Sequence, residues 1–190
     1  AGRRDTNAWH MYGAPQKDGF LHLTCFKIPV KEALDIVKNA GFDCADFSFT
    51  VLPKTTLIEL SDELDTYRDI RRYADGIGLP FNQAHAPFPS SVPDGEKTDK
   101  IFHQITTAMK RASILGVPNI VVHPCQHLSY IEGNNAEILY QYNMDFYSRL
   151  MPYAEEFNIV VCTENMWQNY AARKIWVSTC ATPEEFNRYI

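Results

Sequence analysis

The chain has 190 residues, 45% of them hydrophobic and 22% charged, with a formal net charge of −5. That length suits one domain of the usual 100–200 or so residues, and the composition excludes collagen-like, disordered and disulfide-scaffold classes. The acidic balance weighs against nucleic acid as a partner, because phosphate-backbone binders carry an excess of Lys and Arg.

No window reaches the roughly 18 apolar residues that a membrane helix needs, and Ala1–Arg4 leads into a polar stretch rather than the apolar core of a secretory signal. The cysteines, at 25, 44, 125, 162 and 180, are odd in number and widely spaced. That is the usage of reduced, buried thiols and points to a cytoplasmic protein.

In chain order, residues 1–19 read as an N-terminal extension, and the domain proper as 20–190. Residues 21–26 (LHLTCF) predict a first strand. Val30, Ala33, Leu34, Val37 and Ala40 then recur at helical spacing, with Gly41 as the stop. Residues 42–49 predict a second strand. Asp62 to Gly76 predicts a helix with Leu64, Tyr67, Ile70, Tyr73 and Ala74 on one face. The Gly78–Pro80 turn leads to a third strand, 81–86 (FNQAHA), and a long loop holding Pro87, Pro89, Pro93 and Gly95. Such long loops in compact domains are often functional.

Lys97–Leu115 predicts the next helix, and 119–123 (NIVVH) the fourth strand. A long helix over 136–157 is expected to break or bend near Pro152. The fifth strand, 158–163 (NIVVCT), ends at Glu164. Thr182-Pro183-Glu184-Glu185 carries a cap, a proline at the first helical position and a capping box.

Strands alternating with helices imply a parallel sheet of βαβ units. Lys27-Ile28-Pro29-Val30, after the first strand, is no phosphate-cradling glycine loop, which disfavours an open dinucleotide-type sheet and favours a (β/α)₈ barrel. Such a barrel takes about 250 residues, so about five βα units are expected here, with the sheet unclosed. An open parallel sheet of that kind predicts instability or homo-oligomerisation of the chain alone.

The active face of parallel α/β folds lies at the C-terminal strand ends. Those ends carry Asp46 on strand two, His85 on strand three, His123 on strand four and Glu164 on strand five. Two imidazoles and a carboxylate suit a divalent ion such as Zn, Mn or Co, although a lone strand-end His is more often a hydrogen-bonded structural residue. A buried unpaired Glu is costly and calls for a cation or donors. Phe88 and Trp167 adjoin these positions and read as walls of a ligand pocket or as ordinary packing. His127 lies four residues beyond His123 and could reach the same mouth, or close a loop hydrogen bond. Cys125 follows His123-Pro124 but has no second Cys at short spacing.

GFDCADF (41–47), HAPF (85–88), GVPNIVVHP (116–124), NIVVCTENM (158–166) and CATPEEFNRYI (180–190) resemble, in order, the motifs of the xylose isomerase-like, apurinic endonuclease family 2 barrels. The resemblance covers roughly residues 20–190. It implies a TIM barrel with a divalent metal (Mn, Zn, Co or Mg) at its mouth and a small sugar as substrate. Glu164 matches a metal ligand that also moves a proton, His85 and His123 match histidines of the zinc-binding branch, and Asp46 matches a supporting acid. The activity implied is sugar or sugar phosphate isomerisation or epimerisation. Alternatives are zinc-dependent cleavage at apurinic sites, or a non-catalytic barrel fragment. The family's remaining ligands come from strands six to eight, which these residues do not include.

Overall fold

The structure is a computed structural model that describes residues 29–49, 63–130, 135–170 and 174–190. The predicted first strand, 21–26, lies outside the described residues. The chain divides into two compact units: residues 1–85 with 110–120, and residues 86–109 with 121–190. The elements are α1 (Val30–Asn39), β1 (Ala45–Ser48), α2 (Glu63–Gly76), β2 (Phe81–His85), α3 (Gly95–Leu115), β3 (Asn119–Val121), α4 (Asn135–Phe157), β4 (Val160–Cys162), β5 (Trp167–Tyr170), β6 (Lys174–Val177) and α5 (Pro183–Phe186). The main sheet runs β1-β2-β3-β4, so each strand is followed in space by the next one in sequence. That is the α/β alternation expected of a partial barrel. No described helix is long and apolar enough to cross a membrane.

In the first unit, α1 buries Ala33 and Leu34, the centre of its apolar stripe. Glu32 in the first turn and Lys38 in the last complement the helix dipole. Helix α2 buries Tyr67, Ile70 and Ala74, with Tyr73 donating its hydroxyl to Asp35 at 2.7 Å. Strand β1 pairs in parallel with β2, placing Asp46 opposite Gln83 and Ser48 opposite His85. Phe47 packs against Phe49, Tyr67 and Phe81, an aromatic cluster with centroids 4.9–6.2 Å apart.

One device ends α1, α2, α3 and α4. A residue in the left-handed region closes the helix, and the next amide reaches back five residues, as Val117 N–H does to Ala112 O and Ile159 N–H to Ala154 O. The closing residues are Gly41, Gly78, Gly116 and Asn158. Each turn feeds the chain towards a strand, which is why β1 begins at Ala45 rather than the predicted 42. At Gly116 the φ of 76° is one that L side chains rarely adopt, while a Cβ there would only push aside the mobile end of the exposed Arg71 side chain. Gly116→Ala should therefore lower unfolding free energy by about 1–2 kcal/mol. An unchanged urea midpoint would refute that strain.

In the second unit, Asp94 caps α3 by accepting the Lys97 amide at 3.2 Å, so this helix starts earlier than the sequence predicted. Helix α4 buries Leu139, Asn143, Phe146 and Leu150. It runs through Pro152 without the expected break. Ser148, whose carbonyl loses its donor there, is exposed, so water can satisfy it, while Leu150 anchors the helix from the buried side. The antiparallel pair β5–β6 was not predicted. At α5, Thr182 accepts the Glu185 amide as foreseen, but the Glu185 carboxylate takes the Tyr130 hydroxyl instead of completing a reciprocal box.

Candidate metal and ligand site

In the second unit, β3 stops at Val121, and the chain continues as an irregular segment held from several sides. Val122 N–H bonds to Cys162 O at 2.9 Å, and Tyr147 donates its hydroxyl to Val122 O at 2.7 Å. Cys125 N–H donates to Asn143 Oδ1 at 2.7 Å, and Thr179 donates to Cys125 O at 2.9 Å. His123 is fixed between these anchors. Its Nε2 lies 2.8 Å from Glu164 Oε2, two residues past the end of β4. Both side chains are partly open, 19% and 35% exposed. The edge of the Phe88 ring meets the His123 ring with centroids 5.2 Å apart.

His123 also lines a pocket of about 590 Å³ together with Phe88, Gln126, Ser129, Met166, Trp167 and Gln168. Phe88 and Trp167 line the same pocket. Trp167 is 56% exposed, which is unusual for an indole used only as packing. Gln126, Ser129, Met166 and Gln168 were not singled out in the sequence. Their one signal was proximity to the His123 and Glu164 motifs.

In the first unit, His85 and Asp46 are both buried, on neighbouring parallel strands. His85 Nδ1 lies 2.9 Å from Asp46 Oδ2, and Gln83 Nε2 donates to the same oxygen at 2.5 Å. With Nδ1–H donating to the carboxylate, the imidazole lone pair resides on Nε2, the form in which histidine ligates metals.

His127 is not among the residues lining the pocket. Its ring packs against Tyr142 with centroids 5.5 Å apart, and its Nδ1 has no hydrogen-bond partner among the described residues. The loop hydrogen bond expected of it is not made through that atom. Burial disfavours the imidazolium and lowers its pKa below the usual value. The folded state then binds fewer protons than the unfolded one, so stability should fall as pH drops below the unfolded value of about 6.5. His127→Gln should flatten that limb of a stability–pH curve, and an unaltered limb would exclude His127 as its source.

Cys125 is buried, and burial pushes its thiol pKa up. Cys180 is raised to about 11 for the same reason. Neither thiol belongs to the imidazole–carboxylate pair at His123 and Glu164. His103 sits exposed on α3, and His10 and His22 lie outside the described residues. The donor types at the pocket, imidazole and carboxylate meeting atom to atom, fit a divalent ion of the Zn, Mn, Co class.

The model of the xylose isomerase-like TIM barrel family matches residues 34–190. Among solved structures, a D-tagatose 3-epimerase-like protein superposes with TM-score 0.59 at 20% identity, over 82% of this chain and 54% of its own. The 3-keto-D-glucoside 4-epimerase from E. coli, in its apo form, gives 0.58 at 17% identity, over 74% and 52%. The IOLI protein with a bound zinc atom gives 0.57 at 16% identity, over 72% and 46%. This chain therefore spans about half the length of these structures. No curated protein sequence matches it.

Proposed function

Starting from the fact that the chain belongs to the xylose isomerase-like TIM barrel family, we propose that it carries part of the metal and substrate site of a sugar isomerase or epimerase. The reaction is proton transfer at a carbon next to a carbonyl. The observation that carries this reading is the His123–Glu164 contact at the edge of an aromatic-walled pocket. Two of the similar structures are described as epimerases or epimerase-like, and a third holds zinc.

His123 and Glu164 are the proposed ligands. When bound, a divalent ion supplies Lewis acidity that eases deprotonation beside a carbonyl. Glu164 has the chemistry to take and return that proton at a carboxylate oxygen. It is partly exposed, 35%, beside the pocket-lining His123, so the carboxylate is not sealed in the core. His123 orients the Glu164 carboxylate through its Nε2 contact. Phe88 and Trp167 offer flat apolar faces to the C–H side of a sugar ring and keep water from it. The substrate is a ketose or a sugar phosphate, and the setting is the cytoplasm.

The test is solvent exchange. Protein incubated with a ketose panel in heavy water, with added Mn or Co, should incorporate deuterium at the carbon beside the carbonyl. It should also retain a stoichiometric divalent ion through gel filtration. No incorporation over the panel, together with no retained ion, removes this function.

A further inference from the structure

We infer that Gln126 reads one hydroxyl group of the ligand and that Gln168 is the positioning residue that holds it for this task. The inference rests on the sugar-binding reading above and narrows it to ligands with a free hydroxyl at one particular carbon.

Gln168, on β5, spends its whole amide on the backbone after β3. Its Nε2 donates to Gln126 O at 3.0 Å and to Leu128 O at 2.9 Å, and its Oε1 accepts the Tyr130 amide at 3.1 Å. Both N–H groups are thereby used, so although Gln168 lines the pocket it has no hydrogen left to give a ligand. What it does is fasten an irregular segment, 126–130, to a strand. The backbone of Gln126 is in place before any ligand arrives.

The Gln126 side chain is in the opposite condition. Its Oε1 is buried and accepts no hydrogen bond among the described residues, while the residue itself lines the pocket. A buried amide oxygen without a donor is a costly arrangement. The donor-bearing residues on the same pocket, His123, Ser129 and Trp167, do not bond it. The last torsion of a glutamine is broad, so a modest turn of the amide brings the oxygen to the pocket. A sugar hydroxyl there satisfies it, whereas the C–H of a deoxy sugar cannot. Sites that hydrogen-bond a substrate hydroxyl reject the analogue lacking it far better than apolar pockets sort by size.

The experiment measures dissociation constants by NMR for a ketohexose and each of its monodeoxy analogues. Wild-type protein is compared with Gln126→Met, Gln126→Glu, Gln168→Met and the double variant Gln126→Met/Gln168→Met. Wild type should bind one analogue roughly fivefold or more weakly than the parent sugar, the ratio an unmade buried hydrogen bond implies. Gln126→Met should bring that ratio to near one, and Gln126→Glu, which keeps the acceptor oxygen, should preserve it. Gln168→Met should erode the same ratio and erode nothing further in the double variant, as expected of residues acting as a unit. Equal binding of all analogues by wild type overturns the inference, as does a ratio that survives Gln126→Met or is lost in Gln126→Glu. If no ketohexose binds wild type at all, the sugar reading itself falls and takes this inference with it.

Discussion

Glu164→Ala should abolish the stabilisation of this protein by zinc or manganese. A ligand that binds only the folded state adds about 2.7 kcal/mol when present at a hundred times its dissociation constant. Wild-type protein should therefore show a melting temperature that climbs with metal concentration. Removing an outer hydrogen-bond partner of a metal ligand costs roughly 10–100-fold in affinity, so removing a ligand should cost at least about a hundredfold. The metal-free protein should barely notice. Glu164 is 35% exposed beside His123, and partly exposed ion pairs of this kind contribute about 1 kcal/mol or less. This contrast separates a metal centre from a purely structural imidazole–carboxylate pair. A structural pair predicts a lower melting temperature in Glu164→Ala without metal, and the same absence of metal response in both proteins. Differential scanning calorimetry across a metal series would decide between them.

The residues behind that prediction were legible in the sequence because strand ends are. The Ile159–Thr163 run is apolar with one polar residue, and a carboxylate at its end has to be accounted for. The glycine stops at 41, 78 and 116 marked the helix ends, since only a residue comfortable with positive φ lets the chain reverse there. The end of the long helix at Phe157 was placed correctly too, although its stop is Asn158, whereas the helix runs through Pro152, on a solvated face, without the break that a proline suggests. The β5–β6 pair escaped notice because WQNY and KIWV show neither clean alternation nor a glycine-bearing turn. Gln126 and Gln168 were invisible for a different reason. Their importance lies in one amide meeting three backbone groups some 40 residues away in sequence, which no periodicity encodes. His127 was offered as a ligand contact on spacing alone, and its ring turned to Tyr142.

The second large effect is expected at Asp46, which the sequence marked as a supporting acid. Its side chain is 2% exposed and that of His85 4%, so neither can exchange its partner for water. Asp46→Ala would leave the imidazole buried beside a hole, while breaking a contact of 2.9 Å to the histidine and one of 2.5 Å to the half-buried Gln83. Removing one member of a buried pair typically costs about 3–5 kcal/mol when the pair is ionic, and about 1–3 kcal/mol when one neutral group is orphaned. A loss of roughly 3 kcal/mol in urea unfolding is the expected result for Asp46→Ala. Asp46→Asn separates packing from electrostatics. It keeps the shape and one acceptor oxygen, so stability should fall by only about 1 kcal/mol. A variant as stable as wild type would show that the Asp46 carboxylate is not what holds the buried histidine. Equal destabilisation by Ala and Asn would instead show that the negative charge, rather than the hydrogen-bonding shape, is what the buried histidine requires.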